Sequence, residues 1–276
     1  MGWHLTEDVA AYADRAWGLL AASPVENTVA LTVIESVRGG RRWSEEPMLF
    51  GWYEAAGEVR GAVSLTPPYE LLLAVVPGDS VAELVAALRD RGVDVPGANG
   101  AETVVDRFAA LWTSGTDLHA VPTLQLRLYR LQALEHPPSP PGRARPANGR
   151  DLELAVRWKR EFAAEAGVPS GDAESVMRTR IAAGRVWVWD DDRTPVALAA
   201  RTPPAAGVAR IVAVYTPPDR RRRGYGAAVT AACVEDAVAR GEQVVLFTDL
   251  ANPTSNSVYR RIGFRPVGDY RVVRFR

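Results

Sequence analysis

Lysine is nearly missing from this chain: of 33 basic residues only Lys159 is a lysine, the rest being arginine. Acid and base balance, 33 against 33, so the formal net charge is +0. No global field therefore recruits nucleic acid or an anionic membrane surface. The arginine preference, beside abundant alanine, glycine and proline, reads as a GC-rich composition bias and carries no mechanism. One cysteine, Cys233, excludes an intrachain disulfide and fits a reducing compartment. It lies in an Ala/Val-rich stretch, where the expected role is a small buried hydrophobe rather than a nucleophile. No apolar run approaches the roughly eighteen residues of a membrane span. The start, Met1-Gly2-Trp3-His4-Leu5-Thr6, shows neither a positive segment nor an apolar core of a secretory signal. The cytoplasm is the expected location, with no nucleic-acid partner, no membrane partner and no metal.

What is present suits a globular protein: 276 residues, 47% hydrophobic and 24% charged. That length holds one large domain or two ordinary ones. The strongest punctuation is His136-Pro137-Pro138-Ser139-Pro140-Pro141-Gly142, which favours extended backbone and continues neither a helix nor a central strand. Residues 136–142 are therefore read as a linker between domains at 1–135 and 143–276.

In the second half the patterning predicts a strand near Arg143–Pro146 and helices at Asp151–Ala166, capped by Asp151 and ended by Gly167, and at Ala173–Ala183. Strands follow at Arg185–Trp189, Pro195–Arg201 and Ala209–Thr216. A helix at Gly224–Arg240, a strand at Gln243–Thr248, a helix at Thr254–Ile262 and a strand at Tyr270–Phe275 complete it. The first half echoes this order, with helices at Thr6–Ala22, Pro24–Val37, Ser80–Arg91 and Glu102–Thr113. Its strands are expected at Met48–Glu54, Glu58–Leu65, Glu70–Val76 and Thr123–Leu131. The fold class is mixed α/β, and a repeated architecture is expected.

Between the apolar Ile211-Val212-Ala213-Val214 and the helix from Gly224 lies Arg221-Arg222-Arg223-Gly224-Tyr225-Gly226. Strand, glycine-rich basic loop and helix make an anion cradle. The first N–H groups of a helix lack intrahelical partners, the macrodipole adds positive charge, and glycine lets the backbone approach a ligand. Arginines add charge and forked donors. The corresponding place in the first half, Gly78-Asp79-Ser80, has one glycine, no arginine and an aspartate. One working anion loop is expected.

From about Ala144 to Phe275 the sequence resembles the GNAT superfamily of N-acetyltransferases. Arg221, Gly224 and Gly226 fit the family's Arg/Gln-x-x-Gly-x-Gly/Ala loop, and Val214-Tyr215-Thr216 ends the strand before it. The run Asn252 to Phe264 carries the family's asparagine, tyrosine and Gly-Phe at the usual spacing. The resemblance implies two GNAT-like domains, each a mainly antiparallel mixed sheet flanked by helices, the first without a pyrophosphate loop. It also implies acetyl-CoA as cofactor. Backbone groups of Val214, Tyr215 and Thr216 would pair with the pantetheine amides, as a strand edge pairs with a peptide. Arg221 belongs to the loop motif, and the amides of Arg222, Arg223, Gly224, Tyr225, Gly226 and Ala227 would hold the pyrophosphate. Asn252 would contact the pantetheine arm and also cap a helix; for Asn256 capping is the favoured reading.

Tyr259 falls where the family places the tyrosine that protonates the departing thiolate. A phenol of pKa about 10 stays protonated at neutral pH. The base is harder to read, because neither Ile211–Val214 nor Val244–Phe247 carries a carboxylate. Asp249, an ordered water and a residue of the first domain stand as alternatives, with a turn role the favoured reading of Asp249. Glu161, Glu165, Asp172 and Glu174 would suit a cationic amine, although a solvated helix face is the better account of each. Trp158 and Phe162, four apart on a helix, are expected in the core. The expected function is acetyl transfer from acetyl-CoA to a primary amine of a small molecule or peptide; the alternative is a non-catalytic acyl-CoA-binding or regulatory protein.

Overall fold

Short single-turn helices aside, the chain passes twice through one order of ten elements: strand, two helices, three strands, helix, strand, helix, strand. The computed structural model describes residues 1–276. Its first round is β1 (Gly2–Thr6), α1 (Val9–Ala22), α2 (Thr28–Arg38), β2 (Leu49–Ala55), β3 (Glu58–Leu65), β4 (Leu71–Val75), α3 (Val81–Asp90), β5 (Gly97–Ala101), α4 (Glu102–Thr113) and β6 (Ala120–Leu131). The second is β7 (Arg143–Pro146), α5 (Leu152–Glu165), α6 (Ala173–Ala182), β8 (Val186–Asp191), β9 (Thr194–Arg201), β10 (Val208–Tyr215), α7 (Tyr225–Ala239), β11 (Gln243–Asp249), α8 (Pro253–Ile262) and β12 (Phe264–Phe275).

Contacts divide the chain into two units that differ from the halves drawn at the proline run. One comprises Met1–Leu128, Asp249–Ala251 and Val267–Arg276; the other comprises Tyr129–Thr248 and Asn252–Pro266. The last residues group with the first unit because β12 pairs antiparallel with β5, Tyr270–Arg274 against Gly97–Ala101. Asp249–Ala251 joins the same unit, with the Leu250 N–H donating to Gln125 O at 2.8 Å. The proline run lies within the second unit and is pinned to it. Trp189 Nε1 donates to Pro141 O at 2.8 Å, and a Cβ on Gly142 would stand 2.0 Å from Asp190 O.

In the first unit β1 to β4 pair antiparallel in sequence order and β4 runs parallel to β5. Leu71, Leu73, Leu84, Leu88 and Phe108 close its core. Two strands escaped the sequence patterning. β1 is a five-residue strand at the very start, and β5 reads Gly-Ala-Asn-Gly-Ala, with no β-branched or aromatic residue. Close packing explains β5: a Cβ on Gly97 would meet Val273 O at 2.1 Å and one on Gly100 would meet Leu73 O at 2.8 Å. Glycine there is a requirement of backbone approach rather than a sign of a loop.

In the second unit β7 to β10 pair antiparallel and β10 is parallel to β11 over Val208–Ile211 and Gln243–Leu246. A bulge in β10 lies between Ile211 and Ala213. Side chains alternate along a strand, so residues two apart should share a face. Here Ile211 packs with the α7–α8 core beside Val229 and Ile262, whereas Ala213 and Tyr215 pack with Trp158 and Met177 of α5 and α6. The bulge resets the alternation.

Asp151 was expected to cap α5. Its carboxylate instead accepts from Asn148 N at 2.8 Å and from both terminal nitrogens of Arg145, at 2.7 and 2.9 Å, and Arg145 holds its pKa below the usual range. Asn148 does the capping, one turn earlier. At the far end of α7, Arg201 of β9 is fully buried and donates to Asp236 at 2.5 Å and Glu242 at 3.2 Å. This latch fixes the end of α7 opposite the glycine loop.

Candidate cofactor and catalytic site

β10 and β11 stop pairing at Ile211 and Leu246, while β10 remains paired with β9 as far as Tyr215. Past the bulge, the β11 side of β10 is no longer in the ladder, which is where a peptide-like chain could add. A short turn, Pro218–Arg220, then leads into Arg221–Gly224. Arg222 has φ +62° and Gly224 has φ +86°, both left-handed. Gly224 occupies the N-cap of α7, and no side chain caps that end. The first-turn N–H groups therefore face outward unsatisfied by any cap, the arrangement that binds anions. Gly226 lets α7 start close to the strand: a Cβ there would stand 3.2 Å from Thr216 Oγ1 and 4.0 Å from Val214 Cγ1. Pro140 of the pinned proline run lies 3.8 Å from the Cβ position of Gly224.

The arginines divide their work. Arg221 does not point at the helix end: its Nη2 donates to both Glu165 oxygens, at 2.7 and 2.8 Å, and its Nε to Thr216 O at 2.9 Å. Its guanidinium sits 5.8 Å from the Tyr215 ring centroid. Arg222 and Arg223 are exposed beside the left-handed turn. Tyr225 turns its side chain inward, its hydroxyl donating to Asp191, which raises the phenol pKa. Of Tyr225 only the backbone is available to a ligand.

Asn252 caps α8, its Oδ1 accepting from Ser255 N at 3.0 Å. Asn256 is buried, donating to Asn252 O at 2.8 Å and accepting from the Tyr129 hydroxyl at 3.0 Å. It braces the cap. Tyr259 packs edge-on against Phe264, ring centroids 6.1 Å apart. Its hydroxyl has no protein hydrogen-bond partner, and burial pushes its pKa up to about 12. Asp249 Oδ1 accepts from Ala251 N at 2.8 Å, so the carboxylate closes a turn at the end of β11.

The four carboxylates on the α5–α6 side part company. Asp172 caps α6 through Ser175 N, and Glu174 pairs with Arg178 one turn on. Glu165 is taken by Arg221. Glu161 lines a cavity of about 640 Å³ with Trp158, Tyr215, Pro218, Asp219 and Arg220. Burial first, then the neighbouring Glu161 carboxylate, push the Tyr215 phenol up to about 12, and its hydroxyl donates to Glu165 Oε1 at 3.5 Å. Trp158 is in the core and Phe162 packs against it, as their spacing predicted. The matching loop of the first unit is different. Trp3 Nε1 donates to Ser80 O at 3.1 Å and Ser80 Oγ to Pro77 O at 2.9 Å, while Asp79 and Glu83 flank the start of α3. Arg107 of α4 reaches to 3.4 Å from the Cβ position of Gly78, a cation that sequence proximity did not reveal.

The same two-round architecture is found in solved structures. A GNAT-family acetyltransferase from Colwellia psychrerythraea aligns at TM-score 0.62 with 14% identity, covering 100% of this chain and 99% of that one. A GCN5-related N-acetyltransferase from Sphaerobacter thermophilus gives TM-score 0.67 at 15% identity, covering 99% and 95%. This is the GNAT fold. A tandem GNAT protein from the clavulanic acid biosynthesis pathway matches at TM-score 0.58 and 13% identity over 99% of this chain and 98% of its own. At the level of sequence, residues 192–273 match the family model of FR47-like proteins. That segment holds β9 to α8 and most of β12, and so the whole glycine loop and Tyr259. None of the curated proteins matches the sequence.

Proposed function

We propose that this GNAT-fold protein is an N-acetyltransferase that uses acetyl-CoA and acetylates a primary amine of a small molecule or peptide in its second unit. The observation that carries the reading is the uncapped start of α7 behind left-handed Gly224, at the point where β10 has left β11. The residues fit a pyrophosphate-bearing cofactor: a cradle that a Cβ on Gly226 would crowd, exposed Arg222 and Arg223, and no capping carboxylate. Val214–Thr216 would receive the pantetheine amides, and Asn252, held at the start of α8 by Asn256, would contact the arm. The bound cofactor supplies a thioester open to attack by an uncharged amine.

Tyr259 holds a proton at its hydroxyl for the departing sulfur. With a pKa of about 12 it keeps that proton through the working range. The rate at low amine should therefore climb as the amine deprotonates and then hold level past about pH 10, without a falling limb from an ordinary phenol. A descending limb near pH 10 that Tyr259→Phe abolishes would contradict this assignment.

Gly224→Ala tests the cradle. The added methyl meets nothing closer than Pro140 at 3.8 Å, so the cost is the positive φ, roughly 1–2 kcal/mol. Relaxing that strain rotates the N–H groups away from the ligand. Acetyl-CoA affinity by calorimetric titration is expected to fall by about tenfold, with the melting temperature lowered by a few degrees. Unchanged affinity would remove the loop from the binding site.

A second reading, a non-catalytic acyl-CoA binder, draws on the lack of a carboxylate in β10 and, in β11, anywhere before Asp249, which is engaged in a turn. An amine panel followed by release of free thiol separates the two. Acceleration by some amine supports transfer, and saturable binding of one acetyl-CoA per chain with no acceleration by any amine supports the binder.

A further inference from the structure

We propose that Glu165 is a positioning residue for the phosphate loop, acting through Arg221; the proposal rests on reading that loop as the cofactor cradle. The loop carries two left-handed residues in three, Arg222 at φ +62° and Gly224 at φ +86°. A non-glycine residue in that region persists only where its surroundings over-determine it. The overdetermining element is one side chain. Arg221 Nη2 donates to both Glu165 oxygens, at 2.7 and 2.8 Å, while Nε returns to Thr216 O at 2.9 Å and the guanidinium lies over Tyr215. It thereby ties the last residue of α5 and the end of β10 to the residue just before the left-handed turn. The far side of α5 is itself anchored, since Lys159 Nζ donates to Ser170 O at 2.5 Å in the connection to α6.

Charge and order predict opposite signs. If Glu165 acted only as a charge, removing it would improve the site for an anion. Both partners are open to water, with side chains 42% and 48% exposed, so that gain is small. If Glu165 orders the loop, removing it charges the binding of acetyl-CoA with the entropy of re-forming the turn. The geometry makes the second effect the larger, because one guanidinium holds Glu165 through Nη2 and Thr216 O through Nε, fixing its plane between α5 and the end of β10.

The test is a double-mutant cycle on the full chain with Glu165→Gln and Arg221→Lys. Acetyl-CoA binding is followed by calorimetry, amide hydrogen exchange of residues 217–224 is measured without ligand, and kcat and KM are measured with any accepted amine. Each single variant is expected to weaken acetyl-CoA about two- to fivefold. The double variant should be no weaker than the poorer single one. Exchange in the loop is expected to quicken in ligand-free Glu165→Gln, and KM for acetyl-CoA to rise while kcat at saturation holds. Tighter binding by Glu165→Gln, additive losses, or loop exchange equal to that of the parent protein would each overturn the proposal. Failure of the parent protein to bind acetyl-CoA would sink the cradle reading, and the exchange measurement would still decide whether Glu165 holds the loop.

Discussion

Tyr259→Phe is expected to lower kcat by about 10²–10⁴-fold, the span that a positioned general acid contributes. Acetyl-CoA affinity should stay within about twofold of the parent value, because the change removes one oxygen and no packing. The ring stays where it is: Phe264 meets it edge-on, and Val258 and Tyr259 lie together on the α7–α8 core. What is lost is a hydroxyl that no other protein group engages. A hydroxyl tied into the fold would have a partner whose loss would destabilise the protein, and Tyr259 has none. The measurement pairs steady-state kinetics with thermal unfolding. A stable protein that binds acetyl-CoA and turns over at the parent rate would take Tyr259 out of the chemistry.

Arg201→Met is expected to destabilise the second unit by about 3 kcal/mol in urea unfolding, the low end of the range for breaking a buried ion pair. Arg201 is the largest fully buried side chain, and its guanidinium meets Asp236, Glu242 and the Cys233 carbonyl. Methionine fills much of the volume and satisfies none of the carboxylates. The loss is held down because each acid keeps another cation: Glu242 accepts from Arg185 at 3.1 Å and Asp236 from Arg240 at 3.0 Å. A drop below about 1 kcal/mol would mean that the two remaining arginines carry the latch. Cys233 sits inside this cluster, and burial pushes its thiol up to about 11. It is the inert hydrophobe that its Ala/Val surroundings indicated.

The elements that were legible in the sequence are those whose own residues decide them. Glu58–Leu65 and Glu102–Thr113 stand where β-branched alternation and helical spacing put them, and the glycine loop lies between strand and helix. β5 was not legible because its glycines answer to Val273 O and Leu73 O, partners remote in sequence. The bulge in β10 is likewise invisible in Ile211-Val212-Ala213-Val214, where every residue is apolar and either alternation reads the same. The candidate site divides along the same line. The glycine loop and the Asn252 cap follow from local residue types, and Tyr259 stands out through the family resemblance. The side-chain pairs, Arg221 with Glu165 and Tyr225 with Asp191, join residues that only the folded sheet brings together. In the sequence the arginines read as charge and forked donors around the loop, and Arg221 is instead engaged with Glu165 and Thr216 O.

The pairing of β12 with β5 bears on how the protein is made. The ion pair from Arg274 to Glu70 bridges 204 positions of the chain. During synthesis the first unit emerges long before its last strand does, and β5 waits with an unpaired edge while the whole glycine-loop unit is translated. An open edge of Gly-Ala-Asn-Gly-Ala is a poor template for foreign strands, since it offers almost no apolar side chain to a partner. The bareness that hid β5 from sequence patterning thus suits it to the interval between its own synthesis and the arrival of residues 267–276.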